Sequence, residues 1–173
     1  AGIPDPSRSG FAATGKGIGS CHFVFVADGS GDTMTMNITL RDAFDTPVTS
    51  CSTSVTIVFN DDLGDANDSI CLCLDTSLTK IGVTDGNGIA TVSWNSLGGY
   101  GNIDVCVTAL CTGAIAIGCE NRDFTSPDLD GSCNASPASS TDVVDLGLWA
   151  GGLGANWSPS DYDCSGGINT VID

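Results

Sequence analysis

The sequence is poor in basic residues, aromatic residues and long apolar runs. Five Lys and Arg residues stand against 21 acidic residues in a chain of 173, which gives a formal net charge of −16. Nucleic acids and anionic lipid surfaces bind clustered Lys and Arg, so this composition argues against both as partners. Every apolar run falls far short of the ~18 residues of a membrane-spanning helix, and we expect no membrane insertion.

The residues that catalysis requires are scarce as well. His22 is the single histidine, and its place at the edge of an apolar strand favours a structural role over triad chemistry. A nucleophilic cysteine needs basic or histidine neighbours, which so acidic a chain does not offer. A pair of carboxylates that hydrolyses glycosides stays open as an alternative. Every acid except Glu120 is an Asp, and so many Asp residues offer pairs that the sequence does not exclude. The sequence therefore favours a protein that is not an enzyme.

Cysteine and glycine, in contrast, are abundant. The chain has nine Cys and 23 Gly but no CxxC pair, and one histidine cannot complete a zinc site. Disulfides formed in an oxidising compartment are the better interpretation, so we predict a secreted, extracellular or cell-surface protein. Because the chain starts at Ala1 without Met, we expect that a secretory signal has been removed. It is a candidate glycoprotein, with sequons at Asn37, Asn67, Asn134 and Asn156.

Apolar and polar residues alternate over much of the chain. Met34, Met36, Ile38 and Leu40 alternate with polar neighbours, and the same pattern recurs within residues 55–59, 90–94 and 103–107. A period of two is typical of half-buried strands, and turn-forming clusters separate these runs. Short strands at this spacing, with no helical period between them, predict an antiparallel β-sandwich.

One segment predicts a β-hairpin with a disulfide across it. A two-residue turn at Thr112-Gly113 would place Cys111 opposite Ala114 and Cys106 opposite Cys119. The second of these pairs then falls on a non-hydrogen-bonded site, where the strands are closest and a disulfide can close. We therefore predict a Cys106–Cys119 bond, which a slip of one residue in the register would remove.

The N-terminal residues differ from the rest of the chain. Residues 1–20 are Gly-rich, contain Pro4 and Pro6, and show no period, so a free arm is expected. Folding of this arm back onto its own domain is the alternative. In a free arm, the segment from Phe11 to Ser20 would be the part that adds to another subunit. We therefore divide the chain into an arm (1–20), a β-sandwich (21–125) and a C-terminal region (126–173).

The C-terminal region is an internal repeat whose acids have the spacing of calcium loops. Calcium binds six to eight oxygens, and an EF-hand loop supplies acids at alternate positions and a closing carboxylate at position 12. The predicted ligands are Asp128, Asp130, Ser132, Asp142 and Asp145 in one loop, and Asp161, Asp163, Ser165 and Asp173 in the other. The pattern resembles a dockerin, the EF-hand-like module of secreted bacterial proteins. That resemblance implies calcium as the cofactor and a cohesin-like surface domain as a partner.

The repeats also depart from the dockerin pattern. The first loop has about six extra residues and the second has one, so Ile172 takes the usual closing position. Cys133 and Cys164 lie beside the early acids of their loops, and paired loops would bring them together for a disulfide. Ordinary Asp-rich turns are the alternative for the repeats, and they are the preferred interpretation of two further acidic stretches, 28–32 and 61–68.

A second resemblance covers residues 33–110. The segments ITLRDAFDTPV, VTIVF, VTDGNGIATVSW and IDVCVTA are similar to bacterial Ig-like domains of the invasin/intimin type. The turn TDGNG, followed by alternating Ala90, Val92 and Trp94, is the most specific part. The resemblance implies a rigid, non-catalytic spacer or adhesion module at a cell surface. The many cysteines and the insertion NDDLGDANDSI depart from that family.

Together these features predict a mainly β protein, an Ig-like antiparallel β-sandwich with a small, partly helical, calcium-binding C-terminal appendage. The predicted helical face consists of Val144, Leu146, Leu148 and Trp149. We expect a non-enzymatic, disulfide-bonded subunit that assembles with copies of itself into an extracellular filament or surface layer. An odd number of cysteines favours assembly, because one thiol is left for an intermolecular bond. A cell-surface adhesion or cohesin-type docking module is the alternative.

Overall fold

The chain forms β-strands over most of the residues that the structure describes. A computed structural model describes residues 2–14, 22–24, 33–60, 69–74, 77–129 and 143–152. The elements in chain order are β1 Gly10–Thr14, β2 His22–Val24, β3 Met34–Thr39, β4 Ser52–Asn60, β5 Ser69–Leu72, β6 Thr79–Val83, β7 Ile89–Trp94, β8 Leu97–Ala109, β9 Ile115–Thr125 and α1 Val143–Gly152.

The strands form two sheets. The smaller sheet has the order β1-β3-β7, and the larger has the order β2-β9-β8-β4-β6, with β5 also paired to β8. Within the described strands, every pairing is antiparallel except that of β2 with β9. The prediction of a mainly β chain with antiparallel sheets is therefore confirmed.

The alternating residues of both sheets meet in one core. Met34, Met36 and Ile38 of β3 are fully buried, and so are Val55 of β4 and Ile103 of β8. Successive side chains of a strand point to opposite faces, so this alternation assigns one face of each strand to the core and the other to solvent. Inward faces that meet in a shared core are the arrangement of a β-sandwich.

The turn between β6 and β7 has the structure that its residues require. The carboxylate of Asp85 accepts hydrogen bonds from the backbone N–H groups of Asn87 (2.8 Å) and Ile89 (2.9 Å). Gly88 has a positive φ of 76°, and a Cβ there would lie 2.6 Å from the carbonyl oxygen of Leu40. Only glycine fits this position, because any side chain would clash with backbone and adopt a left-handed conformation.

The first residues of the chain pack onto the sheets, and the prediction of a free arm is wrong for residues 2–14. Asp5 donates its N–H to the carbonyl oxygen of Arg41 (2.8 Å), and the Ser9 hydroxyl bonds to both backbone groups of Arg41. The Ser7 hydroxyl and N–H donate to the Asp5 carboxylate and lower its pKa. Downstream, β1 pairs antiparallel with β3. The alternative, in which the arm folds onto its own domain, describes these residues.

The helix α1 forms where the C-terminal sequence predicts helical residues, but the side chains of the predicted face are not equally buried. Val144 and Leu146 are exposed, whereas Leu148 and Trp149 are partly buried. Asp145 is only 2% exposed. The four residues of the predicted face therefore differ in environment, since two are exposed and two are partly buried.

Candidate functional site

The hairpin of β8 and β9 carries the predicted disulfide. Cys106 and Cys119 face each other in the register and are bonded, with 4.0 Å between their Cα atoms. The turn itself differs from the prediction, since Ala109 pairs with Ile115 and the connection is longer than two residues. A bulge at Ile117 adds one residue to β9 and restores the predicted pairing beyond it.

A second disulfide joins Cys51 to Cys111, which are 60 residues apart. Cys51 is fully buried at the start of β4, and Cys111 lies in the connection between β8 and β9. The buried hydroxyl of Thr84 supports this corner, because it accepts from the Cys51 N–H (2.9 Å) and donates to the carbonyl oxygen of Val48 (2.7 Å). The sequence analysis did not find this pair, since no local spacing brings its members together.

A third cluster of cysteines lies where β5 meets the beginning of β8. The Sγ atoms of Cys71 and Cys73 and a carboxylate oxygen of Asp128 all lie within 4.8 Å of one another. Asp128 is fully buried, and its carbonyl oxygen accepts a hydrogen bond from the Gly99 N–H (2.6 Å). Asp128, the first predicted calcium ligand, is therefore packed against the sheet.

This cluster is a poor metal site by its chemistry. Cys71 and Cys73 are both disulfide-bonded, and a disulfide sulfur is not the thiolate that zinc and other soft metals bind. Calcium needs six to eight oxygens, and the three residues supply one carboxylate. The cluster is therefore a pair of disulfide-bonded cysteines beside a buried carboxylate near the start of the C-terminal region.

Two of the predicted calcium ligands lie within the described residues. Asp128 and Asp145 are described, and both are buried. The remaining ligands lie outside the described residues, namely Asp130, Ser132, Asp142, Asp161, Asp163, Ser165 and Asp173. The predicted Cys133–Cys164 bond and the acidic stretches 28–32 and 61–68 also lie outside them.

The seam between β1 and β9 is a further feature that the sequence analysis did not locate. Phe11 of β1 packs against the core, and its ring lies beside Gly118 of β9. The Ala13 N–H donates to Oε2 of Glu120 (3.4 Å), while Oε1 of Glu120 pairs with Arg122. The sequence of this strand, GFAAT, does not alternate between apolar and polar residues, so it carried no signal of period two.

Comparison with protein-family models finds no match for this chain, and comparison with curated proteins finds none either. In the part of the chain that the structure describes, no helix has both the length and the apolar character needed to cross a membrane.

Proposed function

We propose that this protein is a secreted, non-enzymatic structural subunit that assembles with copies of itself into an extracellular filament or surface layer. The observation that carries the proposal is the position of β1. It is the outermost strand of the smaller sheet and its backbone pairs with β3, while the ring of Phe11 lies beside Gly118 and the Ala13 N–H donates to Glu120 on the larger sheet. A short edge strand of this kind is the type of element that subunits use to join sheet to sheet.

The strand order supports the Ig-like part of the proposal. The N-terminal segment contributes β1 to one sheet and β2 to the other, and β2 runs parallel to the last strand, β9. The two sheets share a core with alternating inward residues, as Ig-like sandwiches do. Together with the disulfides, this favours a rigid extracellular building block.

The spacing of the acids supports the calcium part. Asp128 and Asp145 belong to the same predicted loop, and both carboxylates are almost completely removed from solvent. The spacing of these acids resembles that of an EF-hand loop, in which carboxylate oxygens are calcium ligands. We propose that calcium binding orders residues 126–173 and stabilises the subunit.

Electron microscopy of the oxidised, secreted protein, before and after addition of a calcium chelator, tests this function. Fibres that fray on chelation would support assembly with calcium at the joint. Fibres that survive would support assembly and place the joint elsewhere. Single compact particles in both samples would contradict the assembly function, and a variant with Asp161 and Asp163 changed to Ala provides the control for calcium loss.

The exposed side of α1 favours the docking module as the second candidate. Val143, Val144 and Leu146 are all at least half exposed on this short helix, and an apolar helix side is one surface that partner domains recognise. A docking module would stay monomeric with or without calcium. It would lose a cohesin-like partner in a pull-down when Asp161 and Asp163 are changed to Ala.

A further inference from the structure

Strand β1 is bound to both sheets through different groups. Its backbone pairs with β3 over five residues, from Gly10 opposite Thr39 to Thr14 opposite Thr35. Its inward side chains, Phe11 and Ala13, pack against the shared core. The strand therefore fills the gap between β3 of the smaller sheet and β9 of the larger one.

The gap is shaped to its occupant at the aromatic ring. A Cβ at Gly118 would lie 3.2 Å from Cε1 of Phe11, so the glycine leaves the room that the ring occupies. Glu120, two residues further along β9, accepts the N–H of Ala13. The gap thus accommodates an aromatic ring at Gly118 and a backbone donor at Glu120, and β1 supplies both.

We propose that β1 of one copy occupies the gap between β3 and β9 of the next copy, so that strand exchange joins the subunits head to tail. This inference rests on the assembly function and specifies the contact through which one subunit binds the next. Exchange preserves every contact of β1, since the gap of each copy receives an identical strand. Contacts between copies then favour the assembly, and head-to-tail exchange that does not close forms a filament.

The length of chain between β1 and β2 permits this exchange. Seven residues, 15–21, connect Thr14 to His22, and three of them are glycine. Eight Cα–Cα steps reach at most about 27 Å, which is comparable to the width of a small domain. Residues 2–14 leave together, including the Asp5 and Ser9 bonds to Arg41. A terminal segment opens at lower free energy than the sandwich as a whole, so it can leave its own gap without global unfolding.

A charge-pairing experiment separates exchange from folding within one chain. Ala12 and Asn37 are exposed and directly opposite each other across β1 and β3. One variant carries Ala12→Lys with Asn37→Lys, and the other carries Ala12→Asp with Asn37→Asp. Each variant places like charges opposite each other within its own chain, whereas a mixture can pair Lys with Asp only between chains.

The expected result is rescue by mixing. Each variant alone should form fibres at about the concentration that the unmodified chain needs, because like charges face each other in the closed monomer and in the fibre alike. The mixture should form fibres at a concentration roughly tenfold lower, which is the rescue, since opposite charges replace like charges at every joint. The variant Ala12→Lys with Asn37→Asp pairs its charges in every arrangement, so it should assemble alone and serves as the folding control. Fibre formation is measured by pelleting and electron microscopy.

A matched pair on other strands controls for general attraction between oppositely charged subunits. Thr56 and Thr79 are opposite on the outer face of β4 and β6, which are not exchanged. The same Lys and Asp variants there should show no rescue on mixing. Rescue at both positions, or at neither, would overturn strand exchange while leaving assembly of the unmodified chain intact. An unmodified chain that forms no fibres would overturn the assembly function itself.

Discussion

Removal of the Cys51–Cys111 disulfide is expected to destabilise the protein more than removal of the Cys106–Cys119 disulfide. The first bond joins residues 60 positions apart and the second joins residues 13 positions apart. A disulfide restricts the unfolded chain, and in the chain-entropy account its stabilising effect grows with the logarithm of the loop length. At 25 °C this relation predicts about 4 kcal/mol for the first bond and about 3 kcal/mol for the second.

Burial increases the expected difference. Cys51 is fully buried in the core, whereas Cys119 is exposed on the outer face of the larger sheet. Alanine at position 51 leaves core volume unfilled, and a lost core contact adds its own cost to the lost cross-link. Alanine at position 119 leaves no comparable cavity.

Urea unfolding of two double variants measures both effects. One carries Cys51→Ala with Cys111→Ala, and the other carries Cys106→Ala with Cys119→Ala. Intact mass under oxidising conditions must first show that the remaining disulfides are formed. Linear extrapolation then gives the free energy of unfolding of each variant. An equal or larger loss in the Cys106 and Cys119 variant would refute the reasoning from loop length and burial.

Two further predictions concern single side chains. Thr84→Val should cost about 1–3 kcal/mol of unfolding free energy, because it leaves the buried Cys51 N–H without its acceptor. Thr84→Ser keeps the hydroxyl and should cost clearly less, so equal losses in urea unfolding would contradict this role. The backbone N–H groups of Ile89 and Asn87 hold the pKa of Asp85 below its ordinary value. The resulting stabilisation is complete above the ordinary aspartate pKa of about 3.9 and disappears as the pH falls through the lowered pKa of the folded state. The difference in urea midpoint between the unmodified chain and Asp85→Asn should therefore shrink between pH 5 and pH 2, and a constant difference would disprove the assignment.

The β8–β9 hairpin shows how a local prediction can be right in its pairing and wrong in its turn. Counting outward from a two-residue turn predicts Cys106 opposite Cys119, and the structure has that pair. The connection has five residues, 110–114, where two were predicted, and the bulge at Ile117 shifts the register by one residue so that the predicted pair is restored. Neither feature can be derived from turn chemistry, because a bulge depends on how β9 packs against its neighbours.

The C-terminal region shows that a pattern of residue types does not determine which side chains are buried. The spacing of its acids predicts calcium ligands, and its apolar residues predict one face of a short helix. In the structure the carboxyl groups of Asp128 and Asp145 are buried, while Val144 and Leu146 are exposed. The spacing of the acids along the chain identifies residues that can bind calcium. Their burial depends on the elements that pack around them, and the spacing carries no information about those elements.

The sequence by itself determined the features that depend on residues only a few positions apart. The period of two specifies which residues of β3, β4 and β8 face the core, and Asp85 and Gly88 specify the turn between β6 and β7. Tertiary structure decided which distant segments meet. Cys51 reaches Cys111, and β1 fills the gap between β3 and β9, because the order of strands in each sheet brings them together. That order of strands follows from the packing of the whole core, so no short segment of the sequence determines it.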